Sequence, residues 1–143
     1  MSLAYLDTSV LAKRYLHTPV SEKVERLLDR ADLAFMLSEL SLVEMESTLM
    51  QQARVRASRI DVPTLRLRFC NDVQSGFFQL NPVDRGCILA AQQLIAESTT
   101  PLRTLDALHL ATAVQAQADT FITDDRQLAR AAKACRLTVI SFV

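Results

Sequence analysis

Leu3-Ala4-Tyr5-Leu6-Asp7-Thr8-Ser9, at the start of the chain, is an apolar run that ends abruptly on an acid and two hydroxyl residues. A short apolar run without polar alternation suits a strand buried on both faces. The polar residues after it mark the turn into a helix over 10–16. The same pattern recurs along the chain. An apolar run at 33–37 precedes a helix from Ser41 to about Arg56, with Leu42, Met45 and Leu49 in register. Gly76 breaks the chain before a third strand at 77–80. A fourth strand at 120–123 runs into Asp124-Asp125, a helix at 126–135 and a fifth strand at 137–142.

Further helices fill the intervals. Thr18-Pro19 reads as a helix start, with Thr18 as N-cap, Pro19 at the first helical position, and Val24, Leu27 and Leu28 on one face of 21–30. Asp61-Val62-Pro63 opens a helix reaching roughly to Ser75, and Asp84 caps one carrying Ile88, Leu89, Ala91 and Leu94. The alanine-rich segment 106–117 is strongly helical, with Leu105, Leu108, Ala111, Thr112 and Val114 as its core stripe. Strands alternating with helices require crossovers and hence parallel pairing. The expected fold is α/β: three layers, α/β/α, around a central parallel sheet of about five strands. With no repeat, low-complexity tract or linker, residues 1–143 are expected to form a single domain.

Composition supports a compact helix-rich protein, since half the residues are hydrophobic and only two are glycine. Sixteen basic and sixteen acidic residues give zero formal net charge, so nucleic-acid binding has to be argued from local groups. Cys70, Cys87 and Cys135 are widely spaced and form no metal-ligand pattern. With no signal-like N-terminus or membrane-length apolar stretch, the expected location is the cytoplasm.

In an open parallel sheet, ligands bind beyond the carboxyl ends of the strands, near the point where strand order reverses. Asp7 follows the first strand, and Asp124 and Asp125 follow the fourth. Asp106 opens the helix leading to the fourth strand, and Glu44 lies one turn into the helix after the second. Crowded carboxylates repel one another and call for a cation. An all-oxygen ligand set suits Mg²⁺ or Mn²⁺, which would serve metal-assisted phosphodiester hydrolysis. Each acid also has a simpler structural reading. Ser41-Leu42-Val43-Glu44 fits a capping box, Asp106, Asp124 or Asp125 can cap a helix, and Asp7 can serve a turn.

Taken together, Leu6-Asp7-Thr8-Ser9, Ser41-Leu42-Val43-Glu44, Leu105-Asp106-Ala107-Leu108-His109-Leu110-Ala111 and Phe121-Ile122-Thr123-Asp124-Asp125-Arg126 resemble the motifs of PIN-domain ribonucleases. More narrowly, they are similar to VapC toxins of VapBC toxin–antitoxin pairs. The motifs stand in the family's order and span almost the whole chain. The resemblance implies a Mg²⁺- or Mn²⁺-dependent endoribonuclease acting on RNA, inhibited by a VapB-type antitoxin and forming a homodimer. It also implies that Asp7, Glu44, Asp106 and Asp125 are the catalytic, metal-binding acids. Ser9 and Thr123 would position the acids or a bound water, and Asp124 would be an outer helper.

Arg54, Arg56, Arg59, Arg66 and Arg68 form a basic stretch that suits guidance of a phosphate backbone and a solvated helical face about equally, with a surface covered by the antitoxin as another reading. Arg126, Arg130 and Lys133, on one helical face, carry the same ambiguity. His109, flanked by apolar residues, reads as a packed or hydrogen-bonded core histidine rather than a ligand. Three alternatives carry other functions. A haloacid-dehalogenase-like phosphohydrolase would use Asp7 as nucleophile but would want an acid where Ser9 stands. A response-regulator receiver would place its paired acids early in the chain. A non-catalytic PIN-like binding module would lack one of the four acids.

Overall fold

The computed structural model describes residues 1–142. Five strands and seven helices alternate in the order β1 (Ser2–Leu6), α1 (Thr8–Leu11), α2 (Ser21–Leu28), β2 (Leu33–Ser38), α3 (Leu40–Ala53), α4 (Val62–Gln74), β3 (Phe78–Asn81), α5 (Arg85–Glu97), α6 (Thr104–Gln115), β4 (Thr120–Ile122), α7 (Arg126–Ala134) and β5 (Thr138–Ile140). The strands form one sheet in the order β3-β2-β1-β4-β5. Every pairing is parallel, with Ala4 opposite both Phe35 and Thr120. This is the expected three-layer α/β/α architecture, with β1 at the centre.

Burial on both faces explains the unbroken apolar strands. Ala4, Leu6, Phe35, Leu37 and Ile122 join Val24, Leu28, Met45 and Phe69 in a core on one side. Tyr5, Met36 and Phe121 point the other way and pack with Leu110, Ala113, Leu128 and Ala132. Side chains alternate along a strand, so adjacent residues serve opposite layers. A third cluster, Cys87, Ala91, Ala107 and Ala111, joins α5 to α6 through small side chains.

Several boundaries differ from expectation for local reasons. The first helix begins at Thr8, because the extended Asp7 N-caps it and accepts the Val10 and Leu11 amides at 3.1 and 3.0 Å. It tightens into a 3₁₀ turn at Ala12–Arg14. Thr18-Pro19 forms a turn ahead of α2 rather than its first residues. There the Thr18 amide donates to Ser21 Oγ at 2.8 Å, and the N-cap falls at Val20. Asp84 caps as expected, accepting from the Cys87 amide at 2.9 Å, and the helix expected to open at Asp61-Val62-Pro63 has Asp61 as its N-cap, accepting from the Thr64 amide at 3.3 Å. Gly76 takes a positive φ of 83° between α4 and β3, a conformation that favours glycine.

On α6 the core stripe runs through Ala107, Leu110, Ala111 and Ala113, whereas Leu105 and Val114 are exposed. The expected stripe holds at Ala111 and Thr112, both buried, and fails at Leu105 and Val114, because α6 packs against both α5 and the sheet. The contact with α5 is made through the small side chains Ala107 and Ala111, while Leu110 packs against the sheet.

Phe121 is fully buried and stacks on Tyr5 with ring centroids 5.1 Å apart. Replacing it by alanine is expected to cost about 3–5 kcal/mol in a denaturant unfolding titration. Leu67→Ala, at a site 60% exposed on α4, should change stability by less than about 0.5 kcal/mol.

Candidate active site

The sheet places the candidate site where successive connections leave β1 in opposite directions. From β1 the chain builds outward through β2 and β3, then returns to add β4 on the other side. A crevice opens at such a switch point. Asp7 and Thr123 leave the ends of β1 and β4 there. The Asp7 amide donates to the Ile122 carbonyl at 2.9 Å, extending the ladder by one bond.

Asp7 is 6% exposed, and its carboxylate is fixed through one oxygen. Oδ2 accepts from Ser9 Oγ at 2.8 Å and from Thr123 Oγ1 at 3.0 Å. Ser9 and Thr123 thus anchor one oxygen of the carboxylate. Thr123 Oγ1 also accepts the Asp125 amide at 3.1 Å, joining the two acids through one hydroxyl. Asp125 caps α7, its Oδ1 accepting the Leu128 amide at 2.9 Å. For this residue the capping and site readings are compatible, since Oδ2 faces Arg103 at 3.1 Å.

Glu44 reaches the pocket from α3 and makes no capping box. Ser41 lies inside the helix, fully buried, and the Leu40 amide donates to Ser38 Oγ at 3.1 Å. Glu44 Oε1 instead accepts from Thr8 Oγ1 at 2.8 Å and hydrogen-bonds His109 Nε2. Burial alone would raise the Glu44 carboxyl pKa, but the His109 and Thr8 hydrogen bonds hold it below the usual range. Asp106, the third residue of α6, accepts from Arg103 Nε at 3.0 Å. Its pKa is raised by burial, with Asp125 and Asp7 adding to the rise and Arg103 opposing it.

The four acids, with Thr8, Ser9, Thr48 and Arg103, line one pocket of about 380 Å³. Among the described residues, no group of three or more His, Cys, Asp or Glu is drawn together into a ready-made metal cage. The donor chemistry nonetheless fits a hard divalent cation: carboxylates with hydroxyls beside them and no thiol. Asp7 Oδ1, Glu44 Oε2 and Asp106 Oδ1 accept no hydrogen bond from a described residue, while the partner oxygen of each is anchored. Burial is the main cause of the raised Asp106 pKa and the charges of Asp125 and Asp7 add to it, so a cation bound beside these carboxylates would oppose the rise.

Asp124 does not join this group. It pairs with Lys13 and accepts the Phe142 amide at 2.8 Å, tying the 3₁₀ turn to the segment after β5. Adjacent residues leaving a strand diverge, and the N-cap geometry of Asp125 takes that side chain toward the pocket. None of the five arginines at 54–68 lines the pocket. Arg66 pairs with Glu46, and the Arg68 guanidinium lies 5.7 Å from the Tyr15 ring. A second hollow of about 330 Å³, between the α5–α6 connection and α7, includes Arg130 and Cys135 and none of the four acids.

Two participants were not assigned to the site from sequence. His109 is 1% exposed, as a core histidine should be, yet it bridges Tyr5 and Glu44. Burial, then the nearby charges of Asp7 and Glu44, push the Tyr5 phenol pKa well up, so it keeps its proton. In the neutral His109 ring, Nε2–H donates to the Glu44 carboxylate and Nδ1 accepts from the phenol. The only sequence signal was spacing: His109 follows Asp106 by three residues, one helical turn. Arg103 carried no signal beyond its proximity to Asp106.

Two outcomes test these assignments. A raised carboxyl pKa contributes stability present below the unfolded pKa and lost as pH rises through the folded one. Asp106→Asn in chelator should therefore melt at a higher temperature than wild type at neutral pH. The difference should vanish as pH falls through the carboxylate range, in thermal scans at stepped pH. His109→Leu, which leaves both Tyr5 and Glu44 without their shared partner, should cost roughly 1–3 kcal/mol in denaturant titration.

Known proteins and folds supply the comparison. FitAB bound to a DNA fragment aligns with a TM-score of 0.73 at 20% identity, over 96% of this chain and 94% of that one. The Mycobacterium tuberculosis toxin VapC20, described as sarcin–ricin loop cleaving, aligns with a TM-score of 0.71 at 15% identity, over 90% and 94%. VapBC-5 from the same organism, of the VapBC toxin–antitoxin family, aligns at 0.64 and 21% identity, over 99% of each chain. At these identities the likeness establishes a shared fold. No curated protein sequence matches the chain. The family model described as PIN domain matches residues 4–134, a span that contains all four pocket acids, and the chain belongs to the PIN-domain family.

Proposed function

We propose that the protein is a Mg²⁺- or Mn²⁺-dependent endoribonuclease and the toxin of a toxin–antitoxin pair. The observation that carries this reading is the convergence of Asp7, Glu44, Asp106 and Asp125, from four separate segments, on one pocket. These four would hold the cation. When bound, it supplies water activation and offsets charge on the phosphoryl oxygens. The chain's own task is orientation. Ser9 and Thr123 fix Asp7, Thr8 and His109 fix Glu44, and the α7 amide of Leu128 fixes Asp125. Ligands held in this way need little reorganisation as reaction proceeds.

The pocket hydroxyls of Thr8 and Ser9 are engaged as donors to Glu44 and Asp7. That favours attack by water over a covalent enzyme intermediate. Ser9 also stands where a haloacid-dehalogenase-like site would need its second acid, which leaves that alternative without support.

RNA is favoured as substrate by the PIN membership together with VapC20, a structural neighbour described as cleaving the sarcin–ricin loop. A VapB-type antitoxin partner is favoured by the neighbours that are themselves toxin–antitoxin proteins. Homodimer formation follows from the same resemblance, and exposed Ile88, Leu89 and Ile95 on α5 offer apolar surface for it. The single sheet drawing strands from Ser2 to Ile140 supports one domain over residues 1–143. A cytoplasmic location accords with the absence, among the described residues, of any helix long and apolar enough to cross a membrane.

The test is cleavage of a mixed RNA pool by antitoxin-free protein in Mg²⁺ or Mn²⁺, beside Asp7→Asn and a chelator control. Discrete products are expected from wild type, with loss to background in both controls. Cleavage that persists in Asp7→Asn would place the activity elsewhere. No cleavage combined with a flat metal titration would reject the nuclease and favour a non-catalytic binding module.

A further inference from the structure

Arg103 is the one lysine or arginine lining the acid pocket among the described residues. Its guanidinium spans two of the four acids. Nε donates to Asp106 Oδ2 at 3.0 Å and Nη2 donates to Asp125 Oδ2 at 3.1 Å. The residue is the N-cap of α6, where the helix dipole disfavours a cation. Helix stability therefore does not account for its placement, and attraction to the carboxylates does. Its side chain is 73% exposed while that of Asp106 is 16% exposed. The arginine thus covers the acids from the solvent side, at the pocket mouth.

Exposed ion pairs are weak, screened by salt and easily exchanged. A divalent cation held by Asp106 and Asp125 would carry twice the charge and would compete with the guanidinium for these two carboxylates, at Asp125 for the Oδ2 that Arg103 occupies and at Asp106 through the open Oδ1 beside it. The displaced guanidinium would remain tethered at the pocket mouth, with a planar set of donors matched to phosphate. Among the described residues, no other lysine or arginine lines the pocket to meet the strand there.

We propose that Arg103 is an internal counter-cation that exchanges partners. It neutralises Asp106 and Asp125 until a divalent cation takes their oxygens, and it then binds a phosphate of the RNA strand at the site. This rests on the metal-nuclease reading and adds to it a substrate-contacting residue. It also predicts opposite signs for the two binding steps. Removing the arginine should help the metal and harm the RNA, a combination that a purely structural ion pair would not produce.

The experiment compares wild type, Arg103→Gln and Arg103→Lys by calorimetric titration with Mn²⁺ in the absence of RNA. Fluorescence anisotropy then follows a labelled RNA pool in Ca²⁺, with the RNA recovered intact on a gel. Arg103→Gln should bind Mn²⁺ about 2- to 5-fold more tightly, as a weak competing pair is lost. It should bind RNA about 10-fold more weakly, as a charged phosphate contact is lost. Arg103→Lys keeps the charge without the planar fork, so its Mn²⁺ affinity should stay near wild type while RNA binding falls between the other two.

Mn²⁺ affinity unchanged or weakened in Arg103→Gln would overturn the exchange, and tighter Mn²⁺ with unchanged RNA affinity would overturn the phosphate contact. A wild-type chain that takes up no Mn²⁺ would overturn the metal reading itself. That result is separable from a wild type that binds Mn²⁺ normally and a variant that matches it.

Discussion

The contact on which the pocket depends is the junction of β1 and β4 at Asp7. Its amide continues the parallel ladder onto the Ile122 carbonyl at 2.9 Å, while its carboxylate accepts from Thr123 at 3.0 Å. Backbone and side chain of one residue thus secure both sides of the switch point. Asp7 also N-caps α1, so strand end, helix start and acid are set by a single conformation. That geometry brings Thr8 within hydrogen-bond reach of Glu44 on α3 and Ser9 within reach of Asp7 itself.

Around that junction the protein buries several polar groups in an otherwise apolar centre. Tyr5, Ser38, Ser41, His109 and Thr123 are all 1% exposed or less. Unpaired, such groups would be costly. Ser38 accepts the Leu40 amide and Ser41 accepts from Thr8, while the other three lie in short hydrogen-bonded chains on the pocket acids, from Tyr5 through His109 to Glu44 and from Asp125 through Thr123 to Asp7. The aromatic core contributes here as well, because stacking of Tyr5 on Phe121 orients the phenol toward His109. Packing and acid placement therefore depend on the same side chains, and the pocket's geometry is carried by the buried centre of the sheet.

Not every acid near the switch point serves the pocket, and the reasons are geometric. Asp124 and Asp125 are neighbours in sequence with the same chemistry. Asp125 caps α7 and faces Arg103, whereas Asp124 pairs with Lys13 and holds the segment after β5. Glu44 shows the converse. Its spacing from Ser41 fits a capping box, but α3 begins earlier, at Leu40, which buries Ser41 and leaves Glu44 free to meet Thr8 and His109. Local pattern identified these residues as candidates, and long-range contacts assigned their tasks.

The alternation of unbroken apolar runs with helical periods was sufficient to determine the α/β class, the parallel sheet and the end of the sheet at which the acids gather. Those properties depend on burial and on crossover length, both of which are local in sequence. The helix start at Asp61 and the cap at Asp84 were legible for the same reason. The core stripe of α6 was legible only at Ala111 and Thr112, because Leu105 and Val114 point outward only once α5 and the sheet claim its other faces. The links from His109 to Glu44 and from Arg103 to Asp125 join residues 65 and 22 positions apart. No period or spacing encodes such pairings, since they arise only when separate crossovers pack against one sheet. The residue types at the pocket were therefore set by sequence, whereas their hydrogen-bond partners and the division between anchored and open oxygens were decided by tertiary packing.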